Sequence, residues 1–506
     1  MTTPGAFALL DALRDGTVDG VLRRTALRVP GSTALRYRDR TWTYARLDEA
    51  VSTAAGYLRH FRGLEDGDRV ATYGHNSDTY LITYLACARA GLIHVPVNQN
   101  LTGDDLAYIL DQSGTSLVLA DPDLSDRVPK GYEAALLRDA PGSLLEVLDT
   151  PVPYEAQRDP NEPVQLLYTS GATADPKGAI MTHRALVHEY ASAIEALDLA
   201  GTDRPVHALP LYHSAQMHVF LLPYLAVGAE STLLDGPDAG ALFDLVEAGL
   251  ADSFFAPPTV WISLADHPEF ATRDLGGLRK AFYGASIMPV PVLERLRARL
   301  PALAFYNCFG QSEIGPLATV LRPEEHEGRM DSCGRPVRHV EARVVDEEGS
   351  EVPDGTAGEI AYRSPQLCLG YWGLPEEGVF QDGWFRSGDL AVRDGEGYFT
   401  IVDRVKDVIN SGGVLVASRQ VEDALYTHPG VAEAAVVGLA DERWIEAVTA
   451  VVVPRDKELT EAQLLAYARE KLAHFKAPKR ILFVDELPRN ASGKILKREL
   501  RDRFSA

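Results

Sequence analysis

A large N-terminal domain of α/β sheets with a small mobile α+β C-terminal domain is the fold class this chain predicts. Three observations predict it. Short apolar runs alternate with helix-forming stretches from about residue 22 to residue 402, the pattern of parallel strands joined by crossover helices. That alternation stops at the charged run Asp403-Arg404-Val405-Lys406-Asp407. A chain of 506 residues is also long enough for more than one core. The expected division is 1–402 and 403–506, with a hinge near 403–407.

In order along the chain, Arg69–Tyr73, Ile93–Val97 and Ser116–Ala120 read as strands, with helix-forming composition at Tyr80–Ala90 between the first two. At Leu166–Gly178 an apolar strand pattern ends in small hydroxyl and glycine residues followed by lysine. Backbone N–H groups around Gly171, the hydroxyls of Thr169, Ser170 and Thr173 and the Lys177 ammonium could surround a polyphosphate there. An ordinary Ser/Thr/Gly surface turn is the alternative. It is not a Walker A loop, because Pro176 stands at that motif's glycine position and Gly178 at its hydroxyl position. Thr182 can then cap a helix whose apolar residues Leu186, Tyr190, Ile194 and Leu197 recur every three or four positions. A turn at Asp394–Gly397 leads into a strand over Tyr398–Val402. Beyond the hinge, strands near Ala434–Val437 and Val448–Val453, a helix over Thr460–His474 and a basic, glycine-containing tail form the small domain.

Composition excludes several functions. With 50 basic against 72 acidic side chains and a formal charge of −22, the chain is unsuited to nucleic acid or to anionic membrane surfaces. An anionic substrate must therefore be held by local basic groups. Cys87, Cys308, Cys333 and Cys368 lack the paired spacing of zinc sites and are expected to be buried free thiols. No secretory leader and no integral membrane segment is evident, so the expected location is cytoplasmic.

The run Tyr168-Thr169-Ser170-Gly171-Ala172-Thr173-Ala174-Asp175-Pro176-Lys177-Gly178 resembles the signature of the adenylate-forming superfamily: acyl-CoA synthetases, peptide-synthetase adenylation domains and beetle luciferases. Further motifs of that superfamily follow in order. Leu209-Pro210-Leu211-Tyr212-His213 resembles the segment whose ring and imidazole border the carboxylate site. The resemblance gives His213 a catalytic position and Tyr212 one in the acyl pocket. Trp261 is a second candidate for that pocket, with core packing as the alternative. Tyr283-Gly284-Ala285-Ser286 resembles the strand end passing beneath adenine. In Phe309-Gly310-Gln311-Ser312-Glu313 the resemblance assigns Ser312 to phosphate and Glu313 to magnesium, a hard cation that prefers oxygen ligands. The resemblance gives Asp389 of Trp384–Leu390 the position that binds both ribose hydroxyls, matches Arg404 to an arginine that also reaches the nucleotide, and puts Lys406 on the hinge, with ordinary solvated charge as its alternative reading. Near the end, Ser492-Gly493-Lys494 resembles the motif of the catalytic lysine.

The resemblance implies ATP-dependent activation of a carboxylic acid, a fatty acid by expectation, as an acyl-adenylate. Thioester formation follows on the pantetheine thiol of coenzyme A (CoA) or of an acyl carrier protein, with Mg2+ required. Alternatives are a luciferase-like oxidoreductase acting on an adenylated acid and a degenerate nucleotide-binding module. Departures from the pattern are Ala172 and Ala174 in the loop, Ser418 and Gln420 where the small domain usually carries proline and glutamate, and Ile445 where glycine is common. They leave the thiol acceptor open.

Overall fold

The computed structural model describes residues 16–150, 152–169, 175–286, 288–375, 380–441, 443–489 and 495–505. Its four sheets follow from the patterning. The three expected N-terminal strands, Arg69–Tyr73, Ile93–Val97 and Leu117–Ala120, are parallel neighbours in a six-stranded sheet that also holds Ala134–Leu136, Pro163–Thr169 and Lys177–Thr182. A nine-stranded sheet runs in the order Arg335–Pro336, Thr319–Leu321, Ala304–Phe309, Lys280–Gly284, Ser253–Ala256, Pro205–His207, Ser231–Leu233, Thr33–Tyr37, Arg40–Thr43. Its six central strands from Ala304–Phe309 to Thr33–Tyr37 are parallel.

Between these two sheets lies a helical layer. Helix Asp78–Ala90 is buried along its whole length, as suits a helix without a polar face. One apolar core joins it to Leu35 and Leu233 of one sheet and Val70 and Leu117 of the other. Ser77 caps it by accepting from the Tyr80 N–H, and Gly91, at φ 73°, ends it.

A third, antiparallel sheet holds Glu341–Val345, Ala357–Arg363, Phe380–Gln381, Trp384–Arg393 and Phe399–Arg404. The chain then makes a short turn, Val405–Asp407, and enters the small sheet at Ile409–Ser411. There the strands Val431–Asp441 and Ile445–Pro454 pair over their whole length and are longer than expected. Helix Glu461–Lys471 starts at Thr460, which forms a capping box with Gln463.

The phosphate-loop region holds one strand that the sequence reading leaves out: Pro163–Thr169 and Lys177–Thr182 pair antiparallel, with Thr169 opposite Lys177, before the helix that Thr182 caps as expected. Helix His183–Ala196 begins only after the second strand, with Thr182 Oγ1 accepting from the Ala185 N–H. Residues 170–174 lie outside the described residues.

A buried polar chain fixes the first hairpin strand. The amide nitrogen of Gln165 can only donate and its oxygen only accept, which sets both tautomers. Tyr190 donates to His218 Nδ1 at 3.0 Å, His218 Nε2 to Gln165 Oε1 at 2.7 Å, Gln165 Nε2 to His94 Nδ1 at 3.0 Å, and His94 Nε2 to Thr72 Oγ1 at 2.9 Å. Burial pushes both imidazoles down to about 3. The unfolded chain therefore binds protons below about pH 6.5 that the folded chain refuses, and stability falls as pH falls. The expected loss is about 2 kcal/mol per buried imidazole by pH 5. Urea unfolding of wild type and His218→Gln at pH 7.5 and 5.0 checks it: the wild-type midpoint drops more steeply. Equal slopes would contradict the assignment.

Candidate active site

A cavity of about 1070 Å³ opens where the parallel strands of the large sheet end, the place where open α/β sheets bind ligands. Strand Ala304–Phe309 delivers Gly310, Gln311, Ser312 and Glu313 to its wall, and strand Ser253–Ala256 delivers Phe255 and Pro257. Gly310 has φ 156°, and a Cβ there would stand 2.1 Å from the Pro316 carbonyl oxygen, so no other residue fits. Ala285 lines the cavity with φ 62°. Gly284 and Ser286 do not, and Gly284 is instead pressed against the Cys308 backbone.

Glu313 is 7% exposed on the short turn Ser312–Ile314. Its Oε1 accepts from Thr169 Oγ1 at 3.1 Å and from the Tyr371 hydroxyl at 3.0 Å. Burial beside that carboxylate pushes the Tyr371 phenol upward, which keeps it a donor. Among the described residues Glu313 has no cationic partner, and its second oxygen makes no hydrogen bond. A buried carboxylate with one oxygen held by the Thr169 and Tyr371 hydroxyls and the other unbonded among the described residues fits a magnesium ion that keeps part of its water shell. Lys177 Nζ stands 5.3 Å from the Tyr371 ring centroid on the same wall.

The segment 209–216 forms the facing side. Ser214 Oγ lies 2.8 Å from Ser312 Oγ, which joins two motifs separated by 98 positions. The Tyr212 and His213 rings pack with centroids 4.4 Å apart. Tyr212 OH, His213 Nε2 and Gln311 Nε2 are buried and have no partner among the described residues. Burial pushes His213 down to about 4, so it is a neutral imidazole near pH 7. Buried polar atoms normally have partners, and the residues that carry these three orphans line the cavity from its two sides. Phe220, Phe255, Val219 and Cys308 make the adjoining surface apolar.

Asp389 and Arg404 face each other across paired strands, with Arg404 Nε 2.7 Å from Asp389 Oδ1. Arg404 and Gly388 line the cavity, while Asp389 is 3% exposed behind them. Lys406 and Phe309 also line it.

Trp261 does not line the cavity. Its ring is 1% exposed in the core formed with Phe254 and Phe305, and its Nε1 donates to the Phe282 carbonyl at 3.0 Å. The adjacent Thr259 and Val260 take the wall positions. Trp261→Phe is expected to lower stability by about 1–2 kcal/mol through the lost donor and to leave the KM for the acid unchanged. Thermal unfolding and steady-state kinetics check both. Ser170, Gly171, Thr173 and Lys494, with Ala172 and Ala174, lie outside the described residues.

Sequence reasoning missed three supporting residues. Tyr371 orients Glu313. Gln366 Nε2 donates to the Ile314 and Leu317 carbonyls at 3.2 and 3.1 Å. Glu189 accepts from the Leu317 N–H at 3.2 Å and from Gln366 Nε2 at 2.5 Å, and its burial raises its carboxyl well above the usual range. Only Glu189 left a signal: an acid beside Leu186, Tyr190 and Ala193 on a helix's buried face. All four cysteines are buried; burial pushes Cys368 up to about 12 and Cys308 higher still.

Comparison with known proteins fits this site. The AMP-binding enzyme family matches residues 22–372, and the AMP-binding enzyme C-terminal domain matches residues 420–494. A feruloyl-CoA synthase of Amycolatopsis is 38% identical over 95% of this chain and 98% of its own. A fatty acid–[acyl-carrier-protein] ligase, ScoC of Streptomyces coeruleorubidus, is 35% identical over 94% of each. ATP-bound MatB from Rhodopseudomonas palustris superposes with a TM-score of 0.89 at 29% identity, covering 97% of this chain and 99% of that one. The apo form of MatB, with the same coverage and 30% identity, gives 0.78.

Proposed function

Because this chain belongs to the AMP-binding enzyme family, and is an AMP-forming acid–thiol ligase that uses ATP, Mg2+ and CoA, we propose that its substrate is an apolar, aryl-bearing carboxylic acid. The observation that carries the reading is the cavity itself. One wall presents the buried carboxylate of Glu313 and the other an apolar surface with Phe220 and the rings of Tyr212 and His213, whose OH and Nε2 have no partner among the described residues. At about 1070 Å³ it lies at the upper end of the range for single ligands, room for nucleotide and acid together. The 38% identical feruloyl-CoA synthase supports an aromatic acid. The ScoC relative favours a second reading, a fatty acid with an acyl carrier protein as acceptor.

In the proposed reaction the acid's carboxylate attacks the α-phosphate of ATP and pyrophosphate leaves. The thiol then attacks the acyl carbon, AMP departs, and a thioester remains. Splitting the reaction turns a poor leaving group into a good one before the thiol arrives. Glu313 would hold magnesium, which would supply charge neutralisation on the phosphates. Lys177 and Lys494 provide ammonium groups that oppose the repulsion between two anions as they meet. Neutral His213 and Tyr212 border the carboxylate, and Arg404 with Asp389 holds the ribose side. The higher superposition on ATP-bound MatB supports reading the present domain arrangement as the adenylating one.

The test is acid-dependent exchange of pyrophosphate into ATP across hydroxycinnamic, arylacetic and fatty acids. The preferred acid is then offered with CoA or with a holo-carrier protein. Aryl acids are expected to give the highest kcat/KM and CoA the faster transfer. No exchange with any acid would overturn the reading, and transfer only to the carrier protein would replace the acceptor.

A further inference from the structure

Helix Ser418–Tyr426 belongs to the small domain, yet its first residue reaches back to the hinge. Ser418 donates twice to Oδ2 of Asp403, from its backbone N–H at 2.5 Å and from its hydroxyl at 2.8 Å. The other oxygen, Oδ1, accepts from the Arg404 N–H at 2.8 Å. Lys497 meets the serine from the far side, donating to Ser418 Oγ at 2.6 Å and to Glu422 Oε1 at 2.7 Å. Asp403 and Ser418 are 6% and 0% exposed. The single hydroxyl is thus both donor to the aspartate and acceptor from the lysine. Burial would depress the Lys497 ammonium, but Glu422, Asp403 and Asp407 hold it above its ordinary range. Arg501 pairs with Asp407 at 2.5 Å on the other side of the hinge turn.

Asp403 and Arg404 are consecutive and close the strand that pairs Arg404 with Asp389. Whatever fixes Asp403 therefore fixes the backbone that carries Arg404 to the cavity. We propose that Ser418 and Lys497 are positioning residues for the adenylating half-reaction. Through Asp403 they hold the hinge in the arrangement that keeps Arg404 on the nucleotide side of the cavity. A proline at position 418, the residue of the pattern this segment resembles, has neither of the two donors. The departure at Ser418 thereby acquires a physical role. The proposal rests on the two-step reading, in which the half-reactions need different arrangements across residues 403–407.

Ser418→Ala removes the hydroxyl and keeps the backbone donor. Ser418→Pro removes both, and it sits at the first helical position, where proline's fixed φ is suited. Lys497→Met removes the ammonium. Three readouts are taken: pyrophosphate exchange, single-turnover thioester formation from pre-formed acyl-adenylate and CoA, and the distance distribution between dyes at Lys130→Cys and Glu470→Cys with ATP bound. Both labelling positions are exposed and the native cysteines are buried, so labelling is selective.

Ser418→Ala is expected to lower kcat for exchange about tenfold, as for a lost hydrogen bond to a charged group, with the KM for the acid and thioester formation unchanged. Ser418→Pro should lower exchange further, and Lys497→Met should follow Ser418→Ala. The dye distribution should broaden in the same order. Equal loss in both half-reactions, or no loss in either, would overturn the proposal. If wild type catalyses no exchange with any acid, it is the proposed function that fails. The dye distances still judge the clasp, and an unchanged distribution in Ser418→Pro overturns it.

Discussion

Glu313→Gln is expected to reduce acid-dependent pyrophosphate exchange by about 10²–10³, the scale for removing one preorganised electrostatic partner of a transition state. The substitution keeps the shape of the side chain and an acceptor oxygen for Thr169 and Tyr371, which bond only Oε1. It removes the charge of a 7% exposed carboxylate that has no cationic partner among the described residues. Fold stability should therefore stay constant or rise, because a buried unpaired charge is costly. The apparent Mg2+ requirement should rise as well. Exchange rates over a magnesium series, with thermal unfolding beside them, separate the two effects. Unaltered magnesium dependence would remove Glu313 from the metal site.

Lys494→Ala should cost a similar 10²–10³ in the first half-reaction only. An ammonium that touches carboxylate and phosphate as they approach acts on the transition state of adenylation. Once the adenylate exists, the attacking thiol meets an acyl carbon and that contact is not needed. Pre-formed acyl-adenylate should then yield thioester at the wild-type rate. A variant impaired equally in both steps would show a role in the small domain's fold instead of in chemistry.

The sequence and the structure agree where local patterning decides. Arg69–Tyr73 and Ile93–Val97 were legible to the residue, since buried parallel strands are short apolar runs bounded by turns. Strand Lys177–Thr182 was not, because its buried positions do not alternate and it starts with a lysine. The site was legible as separate motifs but not as contacts. Thr169 and Glu313 meet across 144 positions, and no local pattern announces that Tyr371 completes the pair. Trp261 shows the converse limit: an aromatic ring beside Pro257-Pro258-Thr259 has the same sequence appearance whether it faces a ligand or a core.

Cys308 borders the cavity, and burial holds its thiol protonated. The reactivity of sulfur resides in the thiolate. An acyl group activated in this cavity, as proposed, would meet at Cys308 a poor nucleophile and escape self-acylation. Chemoselectivity between the protein's own sulfur and that of its acceptor is in this way set by solvation.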